Sequence, residues 1–328
     1  MRCWNGKMEK ANIGMKKIDY PDKGSTEFTS LVSEYKAIFP ASDLVQMESD
    51  WLAWKQREGV TLLLPETVEA LLEADVSIVA SVFARFKTLR RQIPLKTINP
   101  ATGKKQRNPK LKELDEIFHY TKKYDRDIAG FFIDHANVLH ISSCYYCETA
   151  YINVYQTTRR QFDIDHFIPK EKCPILGLSL FNFVPSCQVC NSRIKLAKEI
   201  GRNQSEYEKF NPAGEHYDFD KYVTVHLRMR SGCKHNFNNP SAYYIYFRCK
   251  DGFRKEVNFF HLTERYEFHK LEAIRIKKLR EQYPKSAIRK IASLLKVSDA
   301  SVEEDLFHEQ YLQNNNRCFA KLTSDMLK

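Results

Sequence analysis

Two Cys-x-x-C pairs, Cys144/Cys147 and Cys187/Cys190, bracket a segment containing Asp165, His166 and Asn182, and Asn191 follows the last cysteine directly. Each pair has the spacing of a knuckle that presents two thiolates to one tetrahedral zinc. The insert is longer than in a plain ribbon, so the metal would staple the two ends of a small unit. A zinc held by four thiolates has no open position for water, which makes it scaffold and leaves the chemistry to the other polar groups. Asp165 offers a carboxylate and Asn191 an amide oxygen, a sparse oxygen set suited to Mg²⁺ or Mn²⁺ whose shell is completed by phosphate and water. His166 is the adjacent candidate base, because a neutral imidazole near pH 7 accepts a proton.

In Phe162-Asp163-Ile164-Asp165-His166-Phe167 the strand period of two sends Asp165 and His166 to opposite faces. They can work on one phosphate only if the strand ends or bends there, and Pro169 favours an ending.

Asp165-His166, the intervening Asn182 and the run Cys187-x-x-Cys190-Asn191, in that order, resemble the HNH (ββα-metal) endonucleases over roughly residues 140–200. The resemblance implies a ββα-metal core that hydrolyses phosphodiester bonds, with DNA as the first expected substrate. It implies His166 as general base, Asp165 and Asn191 as ligands of one divalent metal, and Asn182 as the residue fixing the loop that orients His166. Asn191 stands where many members have His, and the basic residue after Cys190-Asn191 falls at Arg193 or Lys195 without the usual glycine. Glu148 resembles a feature of a subset linked to bacterial anti-phage defence, including Septu-type and retron-type nucleases, which implies an ATPase partner. Two other readings use the same residues: a zinc-ribbon nucleic-acid adaptor without catalysis, and an HNH nuclease cleaving RNA such as tRNA.

Nine cysteines, an odd number, in paired Cys-x-x-C spacing and with no secretory apolar stretch near Met1, favour metal binding in a reducing cytoplasm over disulfides. Cys3, Cys173, Cys233, Cys249 and Cys318 read as thiols outside the zinc set.

The formal charge of +11 suits a polyanionic partner, and no apolar run approaches bilayer length. From Arg85 to Lys112 ten basic residues occur with no Asp or Glu among them. Within that stretch residues 92–110 read as a loop, because three prolines and a glycine interrupt any helix. It is either a phosphate clamp using Lys104, Lys105 and Arg107, with Arg193 and Lys195 nearer the site, or a solvated linker. Its purity of sign favours the clamp.

The elements that must position these groups suggest an α+β protein in three regions. Residues 1–139 read as mainly helical, with apolar periodicity over Thr26–Phe39, Leu44–Gln56, Pro65–Arg91 and Leu111–Leu139. Leu71, Leu72, Val76, Val79 and Phe83 form a core stripe, and Phe131, Phe132 and Val138 another. Residues 140–200 form the nuclease core with its zinc. Residues 201–328 start with alternating strands over Tyr222–Leu227, Ala242–Phe247 and Phe253–Phe260, then a long helix capped by Thr263 and running through Gln282. Tyr266 and His269 share one face of that helix, and His269 reads as structural rather than as a further site ligand. A helix-turn-helix pattern follows, but Glu303, Glu304 and Asp305 open its second helix and would be repelled by DNA, so it reads as a packing or protein-contact surface. No nucleotide-binding glycine loop is present.

Overall fold

Asp75 divides what apolar periodicity reads as one helix. Its side chain accepts from the Ile78 amide at 3.0 Å and starts a new helix, Val76–Thr88, separate from Val68–Leu72. Thr67 supplies the preceding cap by accepting from Ala70, so that helix begins at Val68 rather than at Pro65. The expected helix over Pro65–Arg91 is therefore two helices and a 3₁₀ turn, Leu89–Arg91.

The computed structural model describes residues 17–155, 159–307 and 318–328. The Cys3 thiol lies outside them. The chain divides into two compact units: Lys17–Leu139 with Val154–Tyr217, and, among the described residues, His140–Asn153 with Asp218–Lys328. These boundaries differ from the three regions expected. The fold class is α+β, with four two-stranded antiparallel sheets among helices in the described residues.

In the first unit, helices Thr26–Lys36, Ala41–Glu58, Val76–Thr88, Pro109–Phe118 and Asp125–Asp134 bury Trp51, Trp54, Phe83, Leu114 and Phe132. The expected stripe of Leu71, Leu72, Val76, Val79 and Phe83 is buried throughout. Val138 is not core: its helix ends at Asp134, and it is 52% exposed. The basic segment is a hairpin rather than an open loop, with β1 (Lys96–Ile98) antiparallel to β2 (Lys105–Arg107). Pro94, Pro100 and Pro109 all stand outside the two strands, where proline removes no ladder bond. Gly103 takes the left-handed conformation that closes the turn, and Asn99 Oδ1 accepts from Ala101 N at 2.9 Å. A small hairpin follows, β3 (Val154–Tyr155) with β4 (Arg159–Arg160). Then β5 (Asp163–His166) pairs antiparallel with β6 (Phe183–Ser186), placing Asp165 opposite Val184 and His166 opposite Phe183. A π-helical turn, Val189–Lys195, completes this stretch.

In the second unit, β7 (Val223–Met229) and β8 (Tyr243–Cys249) form the longest hairpin among the described residues. The segment Phe253–Phe260, expected as a third strand, contains helix Arg254–Phe259. Phe253, Glu256, Val257 and Phe260 are the buried positions of the segment, a helical rather than an alternating period. The expected long helix is two, Leu262–Phe268 and Lys270–Gln282, interrupted at His269. His261 rather than Thr263 occupies the cap of the first. Helices Lys285–Leu295 and Asp299–Phe307 bury Ile288 and Ala292 with Val302 and Phe307 in one cluster. The last helix is Ala320–Leu327.

Candidate active site and zinc centre

Strand β5 stops at His166, and the turn beyond it is tied by Asn182. The Asn182 Oδ1 accepts from Ile168 N at 2.7 Å, while Nδ2 donates to Ile168 O at 3.1 Å and Leu176 O at 3.0 Å. Both ends of segment 168–176 are thus held by one fully buried amide. The next residue, Gly177, places its carbonyl oxygen 3.0 Å from His166 Nε2. A carbonyl only accepts, so in the neutral ring Nε2 carries the hydrogen and Nδ1 keeps the lone pair. Tyr120 meets the imidazole edge-on at 4.4 Å, and Phe183 lies 4.9 Å from it. His166 is 5% exposed. Burial first, then the positive charge of Lys170, hold its pKa well below the ordinary histidine value, and Lys195 adds to this; the Gly177 carbonyl acts in the opposite direction.

Asp165 is also buried, and its partner comes from the π turn. Lys195 Nζ stands 2.9 Å from Oδ2 and 3.2 Å from Oδ1 of Asp165, and donates to the His166 carbonyl oxygen at 2.6 Å. This corrects the sequence reading of Lys195 as a nucleic-acid contact: a fully buried ammonium committed to a carboxylate is withdrawn from phosphates. Asn191 Nδ2 donates to Asp163 Oδ2 at 3.1 Å, and Ser192 Oγ shares that oxygen at 3.3 Å. With Nδ2 engaged there, Oδ1 is the Asn191 atom with lone pairs to offer a cation.

Asp165, His166 and Asn191 line one cavity of about 350 Å³, together with Tyr120 and Lys170. The opposite faces expected for a regular strand do not separate the two β5 residues, because His166 stands at the strand's last position. The donor set fits a hard divalent cation: one carboxylate, one amide oxygen, and space for water and phosphate. A carboxylate presents roughly four lone-pair directions. Lys195 therefore leaves Asp165 capacity for a second cation, though at a cost in affinity from like-charge repulsion.

The thiolate sulfurs of Cys144, Cys147, Cys187 and Cys190 all lie within 4.8 Å of one another, and all four cysteines are buried. A tetrahedron with Zn–S bonds of about 2.3 Å has sulfurs about 3.8 Å apart, so this cluster fits a metal such as zinc with little contraction. The first knuckle carries its own hydrogen bonds. Thr149 donates to Cys147 Sγ from its amide at 3.5 Å and its hydroxyl at 3.2 Å, and Tyr266 donates to the Cys147 carbonyl at 3.2 Å. Glu148 is fully buried beside them and accepts from Lys321 N at 3.1 Å. Cys173 is buried outside the cluster, with its thiol pKa pushed up by burial.

The other sequence-assigned nucleic-acid contacts divide. Lys104, Lys105 and Arg193 are exposed. Arg107 is not an open clamp residue: it makes a two-pronged ion pair with Asp115 and donates to the Glu171 carbonyl at 2.8 Å. His269 rests against Phe319 at 4.5 Å.

Lys170 and Tyr120 are cavity residues that the sequence reading did not assign. Lys170 lies four positions after His166 in the same turn, a signal that was available. Tyr120 belongs to a distant helical segment, and nothing local announces it. No protein-family model, no curated protein and no solved structure matches this chain.

Proposed function

We propose that this chain is a metal-dependent endonuclease of the HNH kind, cutting DNA at the His166 cavity, with zinc in the four-cysteine cluster as scaffold. The observation that carries the reading is the His166–Gly177 hydrogen bond. It fixes the tautomer, leaving Nδ1 as the basic nitrogen of a ring that burial keeps neutral, in the same cavity as a carboxylate, an amide oxygen and a lysine.

His166 Nδ1 takes a proton from the attacking water, and its depressed pKa keeps it in the accepting form at neutral pH. Lys170 brings positive charge to the side where a phosphate would lie. Asp165 and Asn191 Oδ1 would hold the divalent metal, Mg²⁺ or Mn²⁺, whose charge would offset that developing on the scissile phosphate and leaving oxygen. Lys195 holds the Asp165 carboxylate in place. Asn182 sets the turn that delivers the Gly177 carbonyl. The order of β5, which carries Asp165 and His166, then β6, then the helical turn that carries Asn191 and Lys195, supports a ββα-metal reading. DNA as substrate rests on the net charge and on the family resemblance.

The test is incubation with plasmid, single-stranded DNA and tRNA, with and without added Mg²⁺ or Mn²⁺. Metal-dependent DNA cutting is expected. Cutting confined to tRNA transfers the same site to RNA, and binding without cutting returns the adaptor reading.

A further inference from the structure

The β7–β8 hairpin has two unlike faces. Val223, Val225, Tyr243, Ile245 and Phe247 are buried on one. The other pairs His226 with Tyr246 and Arg228 with Tyr244 across the strands, and Thr224 with Arg248. Neither strand contains an acidic residue. Arg228, Arg230 and Arg248 are exposed, and Tyr244 and Tyr246 are half-buried. Among the described residues, Arg228 and Arg248 have no carboxylate partner.

The arginines and rings are interleaved. The Arg228 guanidinium lies 4.2 Å from the Tyr246 centroid, and that of Arg230 lies 5.5 Å from Tyr244. Arg254 approaches Tyr246 at 5.9 Å while donating to the Phe247 carbonyl. His226 Nε2 is buried without a hydrogen-bond partner. Burial and then Arg228 lower its pKa, Asp325 acts in the opposite direction, and Arg248 and Lys277 add to the lowering.

We propose that this outward face of β7–β8 binds single-stranded nucleic acid, stacking bases on Tyr244 and Tyr246 and pairing backbone phosphates with Arg228 and Arg248. Charge complementarity names a polyanion, and the rings choose its form. Bases present a stackable face only when they leave the duplex, and aromatic rings set among arginines are the platform that single strands use. Readers of duplex grooves depend instead on side chains that hydrogen-bond base edges, such as Asn, Gln and Arg. Tyr244 and Tyr246 are two residues apart on one strand face, about 6.8 Å, which is two base-stacking layers. This inference concerns binding and stands apart from whether the His166 cavity cuts.

The test measures fluorescence anisotropy of labelled oligothymidylate, and of a duplex of equal length, with the full chain carrying His166→Ala so that the probe survives. The expected result is tighter binding of the single strand. Tyr244→Ala with Tyr246→Ala should weaken it about tenfold or more, while Tyr246→Phe retains affinity. Arg228→Gln with Arg248→Gln should weaken it and lower the salt slope by about 0.7 per arginine. The inference is overturned if the tyrosine and arginine variants, with unchanged melting temperatures, bind as the parent does, or if the parent prefers duplex. Absence of cutting by the unmodified protein would refute the nuclease reading and leave this result untouched.

Discussion

The Lys195 ammonium contacts both carboxylate oxygens of Asp165, at 2.9 and 3.2 Å, with both side chains withdrawn from water. Removing one partner of such a pair strands the other charge in the interior. Lys195→Ala should therefore destabilise the protein by about 3–5 kcal/mol, read from urea unfolding. Lys195→Met combined with Asp165→Asn should recover much of that loss, because it removes both charges. Additive losses would show that the pair is not coupled.

His166 titrates below its ordinary value of 6.5 because burial, then Lys170, disfavour the imidazolium. A base with a lowered pKa stays competent to lower pH, so the acid limb of kcat/KM for DNA cutting should fall below pH 6.5. The neutral buried ring also favours the folded state above that pH, and this contribution is lost as the unfolded chain takes up a proton below it. Lys170→Gln should move the limb upward, while a limb unmoved from the free-histidine value would contradict the electrostatic environment described.

The four-cysteine cluster fits one zinc, so elemental analysis should find about one zinc per chain. Cys187→Ser with Cys190→Ser should abolish that zinc and lower the melting temperature sharply, since a structural site contributes folding energy directly. A full complement of zinc in the double variant would place the metal elsewhere.

Glu199 is a second charged hub, accepting from Lys172 at 2.8 Å, Lys87 at 2.9 Å and Tyr207 Oη at 2.6 Å. Burial opposes its ionisation, but those hydrogen bonds outweigh it and bring the carboxyl down to about 2. A depressed carboxylate stabilises the fold above its unfolded value of 4.5, and that contribution disappears as pH falls towards 2. Glu199→Gln should cost on the order of 2 kcal/mol at pH 7, after allowance for solvent screening, and much less at pH 3. An equal loss at both pH values would assign the effect to packing.

What the sequence made legible was local. Cys-x-x-C spacing announced the sulfur cluster, alternation announced β7 and β8, and the Asp165-His166 step near Pro169 announced a strand end. The misreadings came from competing local rules. Asp75 restarts a helix that periodicity alone would continue, and the prolines outside β1 and β2, which interrupt any helix, look in sequence like marks of an open loop. Lys195 was misread for a different reason: its partner lies thirty positions away, so no window shows that the nearest phosphate-seeking cation is already held by Asp165. Tyr120 and the Gly177 carbonyl are tertiary contributions to His166 with no sequence signal.

The most direct measurement of the central claim is plasmid and single-stranded DNA cutting by the unmodified protein and His166→Ala, with Mg²⁺ or Mn²⁺ added and zinc content matched. The expected result is metal-dependent cutting that His166→Ala lowers by about a hundredfold or more, with zinc content and melting temperature preserved. Equal cutting by the two proteins would contradict His166 as the base, and with it the reading of the Asp165–Asn191 cavity as a nuclease centre.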